Sequence, residues 1–316
     1  MRGRYAPSPT GHLHLGNART ALLAWLQVRA AGGTFVMRVE DLDPARSRPE
    51  LESEQLADLR WLGLDWDEGP DVGGPHGPYR QSERAEGHAQ WADRLDTFPC
   101  SCTRREVREA TLAPHGAEPI YPGTCDRGPT RPGGARSLRW RTPPGRVAFA
   151  DDVWGAVEQD VRGEVGAFVL RRADGVWGYQ LAVVADDAAM GITHVLRGAD
   201  LLGSTARQIH LQRTLGLATP RYCHVPLLVG EDGGKLSKRH GARALVELRE
   251  AGVDPRRVVA ALGRSVGLVG VEVGWVSAGE LVGGFGVEAL GRESSWVEEN
   301  WMEVGCGGGG RGGRGS

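Results

Sequence analysis

Apolar positions along the chain follow two alternating rhythms. Residues 3 to 6 extend as a short strand, and the prolines at 7 and 9 with Gly11 make a tight connection. Leu15, Ala18, Leu22 and Leu26 then recur at helical spacing. Thr34 to Val39 predicts a second strand, closed by Glu40-Asp41-Leu42-Asp43-Pro44, with a helix from about Glu50 to Leu62 after it. Between 98 and 146 the rhythm breaks into Cys, Pro, Gly and Arg, the mark of an inserted subdomain. It resumes with strands at Gln180–Val184 and Thr193–Leu196, a helix from Gly198 to Leu215, and a strand from Tyr222 to Val229 before the bend at 233–234. Residues 243 to 266 pattern as a helical pair, and the last twelve, GCGGGGRGGRGS, are low-complexity and expected to be disordered.

Strands alternating with helices predict an α/β fold with a parallel sheet, whose ligands gather at the carboxyl ends of the strands. The expected organisation is one α/β half over 1–97, the insertion over 98–146, a second half over 147–242, a short helical region over 243–290, and a disordered tail over 291–316.

Composition narrows the class. The 316 residues are 40% apolar and 25% charged, and no apolar run approaches the roughly 20 residues of a membrane span. The start, MRGRYAPSPTG, has no apolar stretch behind its basic residues, so a cytoplasmic protein is expected and its five cysteines read as thiols or metal ligands. With 38 basic against 40 acidic residues the net charge is -2, which is no global nucleic-acid signature. Only two of the basic residues are lysines, and they share one pentapeptide, Lys235-Leu236-Ser237-Lys238-Arg239. Drift toward arginine explains the scarcity but not the adjacency; a flexible stem with a compact ammonium suits a mobile phosphate contact.

Three constellations carry chemistry. The first is Pro7-Ser8-Pro9-Thr10-Gly11-His12-Leu13-His14-Leu15-Gly16-Asn17, between a strand and the first turn of a helix. Unpaired amides and the helix dipole favour phosphate there, two imidazoles add donors, and Gly16 permits close approach of a nucleotide. The second is the lysine pentapeptide, which follows a strand of the same expected sheet. The third is Cys100-Ser101-Cys102 with Tyr121-Pro122-Gly123-Thr124-Cys125. Three thiolates and one further donor close a tetrahedral zinc site, although tyrosine is an unusual fourth ligand. Free structural thiols are the alternative.

Taken together, His14-Leu15-Gly16-Asn17 and Lys235-Leu236-Ser237-Lys238-Arg239 resemble the two signature motifs of class I aminoacyl-tRNA synthetases. The first departs at Asn17, where the family has histidine, and the second ends in Arg in place of Ser. Arg4-Tyr5-Ala6-Pro7-Ser8-Pro9-Thr10-Gly11, Arg38-Val39-Glu40-Asp41-Leu42-Asp43 and Val195-Leu196-Arg197-Gly198-Ala199-Asp200 resemble the glutamyl branch. The Cys-x-Cys, Tyr-x-x-x-Cys insertion narrows the resemblance to the glutamyl-Q tRNA(Asp) synthetases, shortened paralogues of glutamyl-tRNA synthetase.

This resemblance implies a Rossmann-like catalytic domain with an inserted zinc-binding subdomain. It implies a ligase that activates L-glutamate with ATP and Mg²⁺ and attaches it to the queuosine base in the anticodon of tRNA(Asp), acting as a monomer. Arg4 and Arg197 would hold the glutamate side chain and Glu40 its amino group. Tyr5, Ala6, Pro7, Ser8 and Tyr179 would complete that pocket. His14, Gly16, Asn17 and Lys238 would bind ATP, with His14, Lys235 and Lys238 catalytic, and Cys100, Cys102, Tyr121 and Cys125 would hold structural zinc. Two other readings stay open: the catalytic half of a conventional glutamyl-tRNA synthetase, and a non-catalytic glutamate- or nucleotide-binding paralogue. Arg127, Arg131, Arg136, Arg139, Arg141 and Arg146, in twenty residues without Asp or Glu, are expected on an exposed ribbon that either contacts RNA phosphates or is simply solvated.

Overall fold

A computed structural model describes residues 1–111, 120–134, 136–229 and 243–295. The lysine pentapeptide and the Gly-Arg tail lie outside the described residues.

Nine strands and ten α-helices are described. In chain order they are β1 (Arg2–Tyr5), α1 (Leu15–Ala30), β2 (Thr34–Met37), α2 (Pro49–Trp61), α3 (Ala85–Ala92), β3 (Thr97–Cys100), α4 (Arg104–Thr111), β4 (Ser137–Trp140), β5 (Arg146–Asp151) and β6 (Gly155–Asp160). Then come α5 (Val161–Glu164), β7 (Val169–Arg171), α6 (Tyr179–Ala189), β8 (His194–Gly198), α7 (Leu202–Leu215), β9 (Arg221–Val225), α8 (Leu245–Glu250), α9 (Pro255–Arg264) and α10 (Ala278–Leu281).

The main sheet runs β2-β1-β8-β9-β5-β6. Every pairing in it is parallel except β5 with β6. From β1 the chain passes to β2 on one side and later returns as β8 on the other, which makes the β1/β8 boundary a switch point with a crevice at the strand ends. One core packs α1 and α8 to α10 with the sheet, and a second packs α6 and α7. Gly3 allows α1 to lie close on β1, since a Cβ there would stand 2.4 Å from Val28 Cγ2. A smaller antiparallel sheet, β3-β4-β7, stands apart. The 98–146 span supplies its strand β4 and most of β3, and β7 comes from beyond residue 146.

Two expected strands differ. Gln180–Val184 lies in helix α6: four of the eleven residues of that helix are alanine, a strong helix former, and its residues 181 to 187 are all buried. Full burial erases the amphipathic period that would have marked a helix, and the paired valines imitate a strand. Strand β9 stops at Val225, because Pro226 has no N–H for the ladder. No helix among the described residues is long and apolar enough to cross a membrane.

Candidate active site

At the β1/β8 switch point the strand ends open into a cleft of about 290 Å³. Residues 4 to 8 line it from β1 and its exit, Glu40 from beyond β2, and Arg197 from β8. Tyr179 comes from the first turn of α6, and His14, Gly16 and Asn17 from the start of α1. Every expected pocket residue within the described chain therefore faces one space; Lys235 and Lys238 lie outside the described residues.

The α1 entrance is locally self-consistent. His14 is the N-cap: its Nδ1 accepts from the Gly16 amide at 3.1 Å, while its own amide donates to Asn17 Oδ1 at 3.1 Å. Asn17 thus closes a reciprocal capping box. That bond leaves Nε2 as the nitrogen of His14 that carries the proton. A side chain at Gly16 would press on the His14 ring at 3.0 Å, so this glycine serves the cap as well as the space above it. His12, expected as a second phosphate donor, instead pairs with Glu54 of α2 and does not line the cleft.

Charge inside the cleft is heavily cross-linked. Arg38, fully buried beneath the floor, donates to Asp187 Oδ1 at 2.6 Å and to Glu40 Oε1 at 3.1 Å. Arg4 Nε reaches the same Asp187 oxygen at 3.4 Å. Burial raises the Glu40 carboxyl above its ordinary range, against the pull of Arg38 and Arg4. Tyr5 lines the cleft, and its hydroxyl donates to the Asn17 carbonyl at 3.3 Å.

Arg197 is held differently. Its Nε donates to His224 Nε2 at 3.0 Å, Nη2 to Thr205 Oγ1 at 2.9 Å, and Nη1 to the Tyr179 hydroxyl at 3.4 Å. His224 Nδ1 in turn meets Asp151 Oδ2 at 2.6 Å, and both of those residues are buried. Sequence reasoning missed Asp151, Asp187, Thr205 and His224, which belong to no short motif. Asp187 carried a signal only if α6 had been read as a buried helix, where an acid needs a cation nearby. Arg19, also missed, lines the cleft from α1; burial lowers its pKa to about 10, and its guanidinium donates to the Pro226 carbonyl and to Ser295.

A second cluster sits at the edge of the small sheet. Cys100, Cys102 and Cys125 place their sulfurs within 4.8 Å of one another. Cys102 Sγ and Cys125 Sγ are 3.7 Å apart, and Cys100 Sγ is 3.5 Å from the Tyr121 hydroxyl. The Cys125 amide donates to that hydroxyl at 2.7 Å, aiming its oxygen into the cluster. Burial works against ionising Cys125, yet hydrogen bonding from the Ser101 and Thr130 backbone brings its pKa down to about 6. Burial and the neighbouring thiols push Cys102 up to about 11. One thiolate, at Cys125, is thus readily formed, and a second at Cys102 calls for a cation.

The arginine-rich segment is exposed over much of its length, as expected, but its arginines are not equivalent. Arg131 pairs with Glu106, Arg141 with Asp96 and Arg146 with Glu158. Arg139 is buried over the Tyr121 ring at 4.0 Å and donates to the Ala167 carbonyl at 2.7 Å. The acids come from other segments of the chain, which the local sequence could not reveal.

Residues 1–273 match the family model for class I tRNA synthetases (E and Q), catalytic domain. A glutamyl-Q tRNA(Asp) synthetase of Symbiobacterium thermophilum is 55% identical over 281 residues, which cover 84% of this chain and 87% of the relative. The enzyme of the same name from Deinococcus radiodurans is 49% identical, over 84% and 89%. A glutamate–tRNA ligase of Sulfurihydrogenibium sp. is 47% identical over 79% of this chain and 55% of its own length. Among solved structures, the glutamate-tRNA synthetase of Elizabethkingia anophelis superposes with a TM-score of 0.80 at 26% identity, over 96% of this chain and 69% of that one.

Proposed function

The chain belongs to the class I tRNA synthetases of the E and Q type, a family of ligases, and from that premise we propose that it activates L-glutamate with ATP and transfers it to the queuosine base of tRNA(Asp). The observation that carries this reading is one cleft, lined by Arg4, Arg19, Glu40, Arg197 and Asp200, in which the buried guanidiniums of Arg4 and Arg197 stand with the Glu40 carboxyl. A ligand with a carboxylate at one end and an ammonium at the other matches that arrangement.

In this assignment Arg4 and Arg197 hold the side-chain carboxylate and Glu40 the ammonium. Ser8 and Tyr179, with the backbone from Tyr5 to Pro7, shape the pocket. Class I synthetases use ATP with Mg²⁺. A glutamate α-carboxylate oxygen attacks the ATP α-phosphorus; the bond to the bridging oxygen breaks and pyrophosphate leaves. Negative charge on the phosphates is met by the amino end of α1, by His14, and by Lys235 and Lys238. The segment carrying those lysines leaves the described chain after Val229, next to Leu228 of the cleft wall, and re-enters before Ala244, which bridges to His14. Transfer to the base then releases AMP.

The cysteine cluster fits structural zinc. Zinc with sulfurs at about 2.3 Å in a tetrahedron spaces them about 3.8 Å apart, and spaces a sulfur from an oxygen ligand by about 3.5 Å. The pairs at 3.7 and 3.5 Å match those edges. Cys100, Cys102, Tyr121 and Cys125 would close the shell, so the metal would brace the small sheet and leave no position for water.

Higher identity to the glutamyl-Q enzymes than to the glutamate–tRNA ligase supports queuosine-bearing tRNA(Asp) as the acceptor. The test is incubation with ATP, labelled glutamate and tRNA(Asp) with or without queuosine, beside tRNA(Glu). Label is expected on the queuosine-bearing tRNA(Asp) alone; label on tRNA(Glu) would overturn the proposed acceptor.

A further inference from the structure

Beneath the cleft, a chain of buried polar groups runs from Asp151 at the end of β5 through His224 of β9 to Arg197 of β8. We infer that His224, backed by Asp151 and joined by Thr205, is the positioning residue that fixes the Arg197 guanidinium toward the glutamate side chain. This rests on the reading of Arg197 as a carboxylate ligand and extends it to groups that do not reach the cleft.

The hydrogen bonds define the direction of the chain. Asp151 Oδ1 accepts from the amides of Val153 at 3.0 Å and Trp154 at 2.9 Å, so that carboxylate is locked in the bend after β5. Its other oxygen, 2.6 Å from His224 Nδ1, places the imidazole proton on that nitrogen. Nε2 is then the lone pair. It accepts from Arg197 Nε at 3.0 Å and lies 3.0 Å from Thr205 Oγ1. Burial lowers the His224 pKa, with Arg197 and Arg4 adding to the effect against the pull of Asp151, which agrees with a neutral acceptor. The Tyr222 ring lies 5.4 Å from the guanidinium carbon and closes the inner side.

A neutral acceptor has a specific consequence. Among the described residues Arg197 has no carboxylate partner, whereas Arg4 and Arg38 share Asp187 and Arg38 also meets Glu40. An acid placed directly on Arg197 would orient it equally well but would compete with the ligand's carboxylate. The imidazole fixes the Nε edge and keeps the acid one group back, so that Nη1, beside the Tyr179 hydroxyl, offers a full charge. Glutamate has that charge to gain and neutral glutamine does not, so the relay sets the preference between them.

The test measures pyrophosphate exchange with glutamate and with glutamine in the full chain, wild type beside His224→Gln, and Thr205→Val as a second variant that keeps the side-chain shape. For His224→Gln the KM for glutamate should rise about tenfold or more, as for loss of an acceptor holding a charged donor. The glutamate-to-glutamine ratio of kcat/KM should fall by a similar factor, while kcat and the KM for ATP stay within about twofold. Thr205→Val should give a smaller shift, about threefold, in the same parameters. A variant that merely folds less well lowers kcat for both amino acids and leaves KM and the ratio alone; that outcome in both variants would overturn the inference. Wild-type protein that shows no glutamate-dependent exchange would overturn the pocket reading and the inference with it. Normal wild-type exchange with unshifted KM in the variants would overturn the inference alone.

Discussion

The cleft and the cysteine cluster both bury ionisable groups, and they solve the resulting electrostatic problem in opposite ways. In the cleft, cations and anions arrive from different elements and satisfy one another: Arg38 and Arg4 on Asp187, Arg38 on Glu40, Arg197 on neutral acceptors. In the cluster, acidic groups meet one another, with three thiols and a phenol gathered around one point. A cleft of the first kind stands without its ligand and has charge left to offer. A cluster of the second kind gains its full stability when a cation arrives. Loss of a residue should therefore impair substrate capture in the cleft and folding stability in the cluster.

The largest effect is expected in the cleft. Arg197→Leu removes the cation that has no acid of its own, leaving a bound glutamate carboxylate desolvated and short of a partner. Such losses reach about 100- to 1,000-fold, and they should appear in kcat/KM for glutamate-dependent pyrophosphate exchange, with the melting temperature little changed. A wild-type-like kcat/KM would mean that Arg4 alone supplies the counter-charge, and the division between the two regions would have to be redrawn.

For the cluster the expected result is reversed. Cys125→Ser should abolish tight zinc retention, read as about one zinc per chain in the wild type and little in the variant, and should lower the melting temperature by about 5 °C or more. Pyrophosphate exchange measured well below that temperature should stay within about threefold, because a closed shell takes no part in the chemistry. Metal-free wild-type protein with an unchanged melting temperature would mean that the three thiols are ordinary packing residues.

The two regions were also unequally legible in the sequence. Most cleft residues sit in short runs that resemble family motifs, and it was that resemblance, not spacing alone, that pointed to Arg4, Glu40 and Arg197. The supporting layer did not announce itself. Asp151 and His224 are 73 positions apart, Arg4 and Asp187 are 183 apart, and each alone looks like an ordinary polar residue in or near a strand or helix. Misreading α6 as a strand hid the role of Asp187, because residues on all of its sides are buried and no polar stripe shows its period. The cysteine pattern was legible for the opposite reason: four candidate ligands fall within 26 residues, and Cys-x-Cys spacing has few other uses. Asn17 looked like a departure from a motif, and its contribution became visible only as the partner of the His14 amide.

The arginine-rich segment follows the cysteine cluster in the chain, and the smallest expected effect concerns it. A count of local charge marked all six arginines as equivalent, but the fold separates them. Arg131, Arg141 and Arg146 have acid partners, and Arg139 is stacked and buried beside the cysteine cluster. Exposed Arg127 and half-buried Arg136 have no ion pair among the described residues. Phosphate contact needs cations that are not already neutralised, so these two are the candidates for holding RNA. Replacing both by Ala should weaken tRNA(Asp) binding about tenfold near physiological salt and reduce the slope of log affinity against log salt by about 2, with glutamate activation unaffected. Arg139→Ala should instead lower the melting temperature and leave that slope alone, since its charge is spent on Tyr121 and the Ala167 carbonyl. A slope that changes with Arg139→Ala and not with the double variant would mean that the small sheet opens to meet RNA, and that its buried cations serve binding as well as the fold.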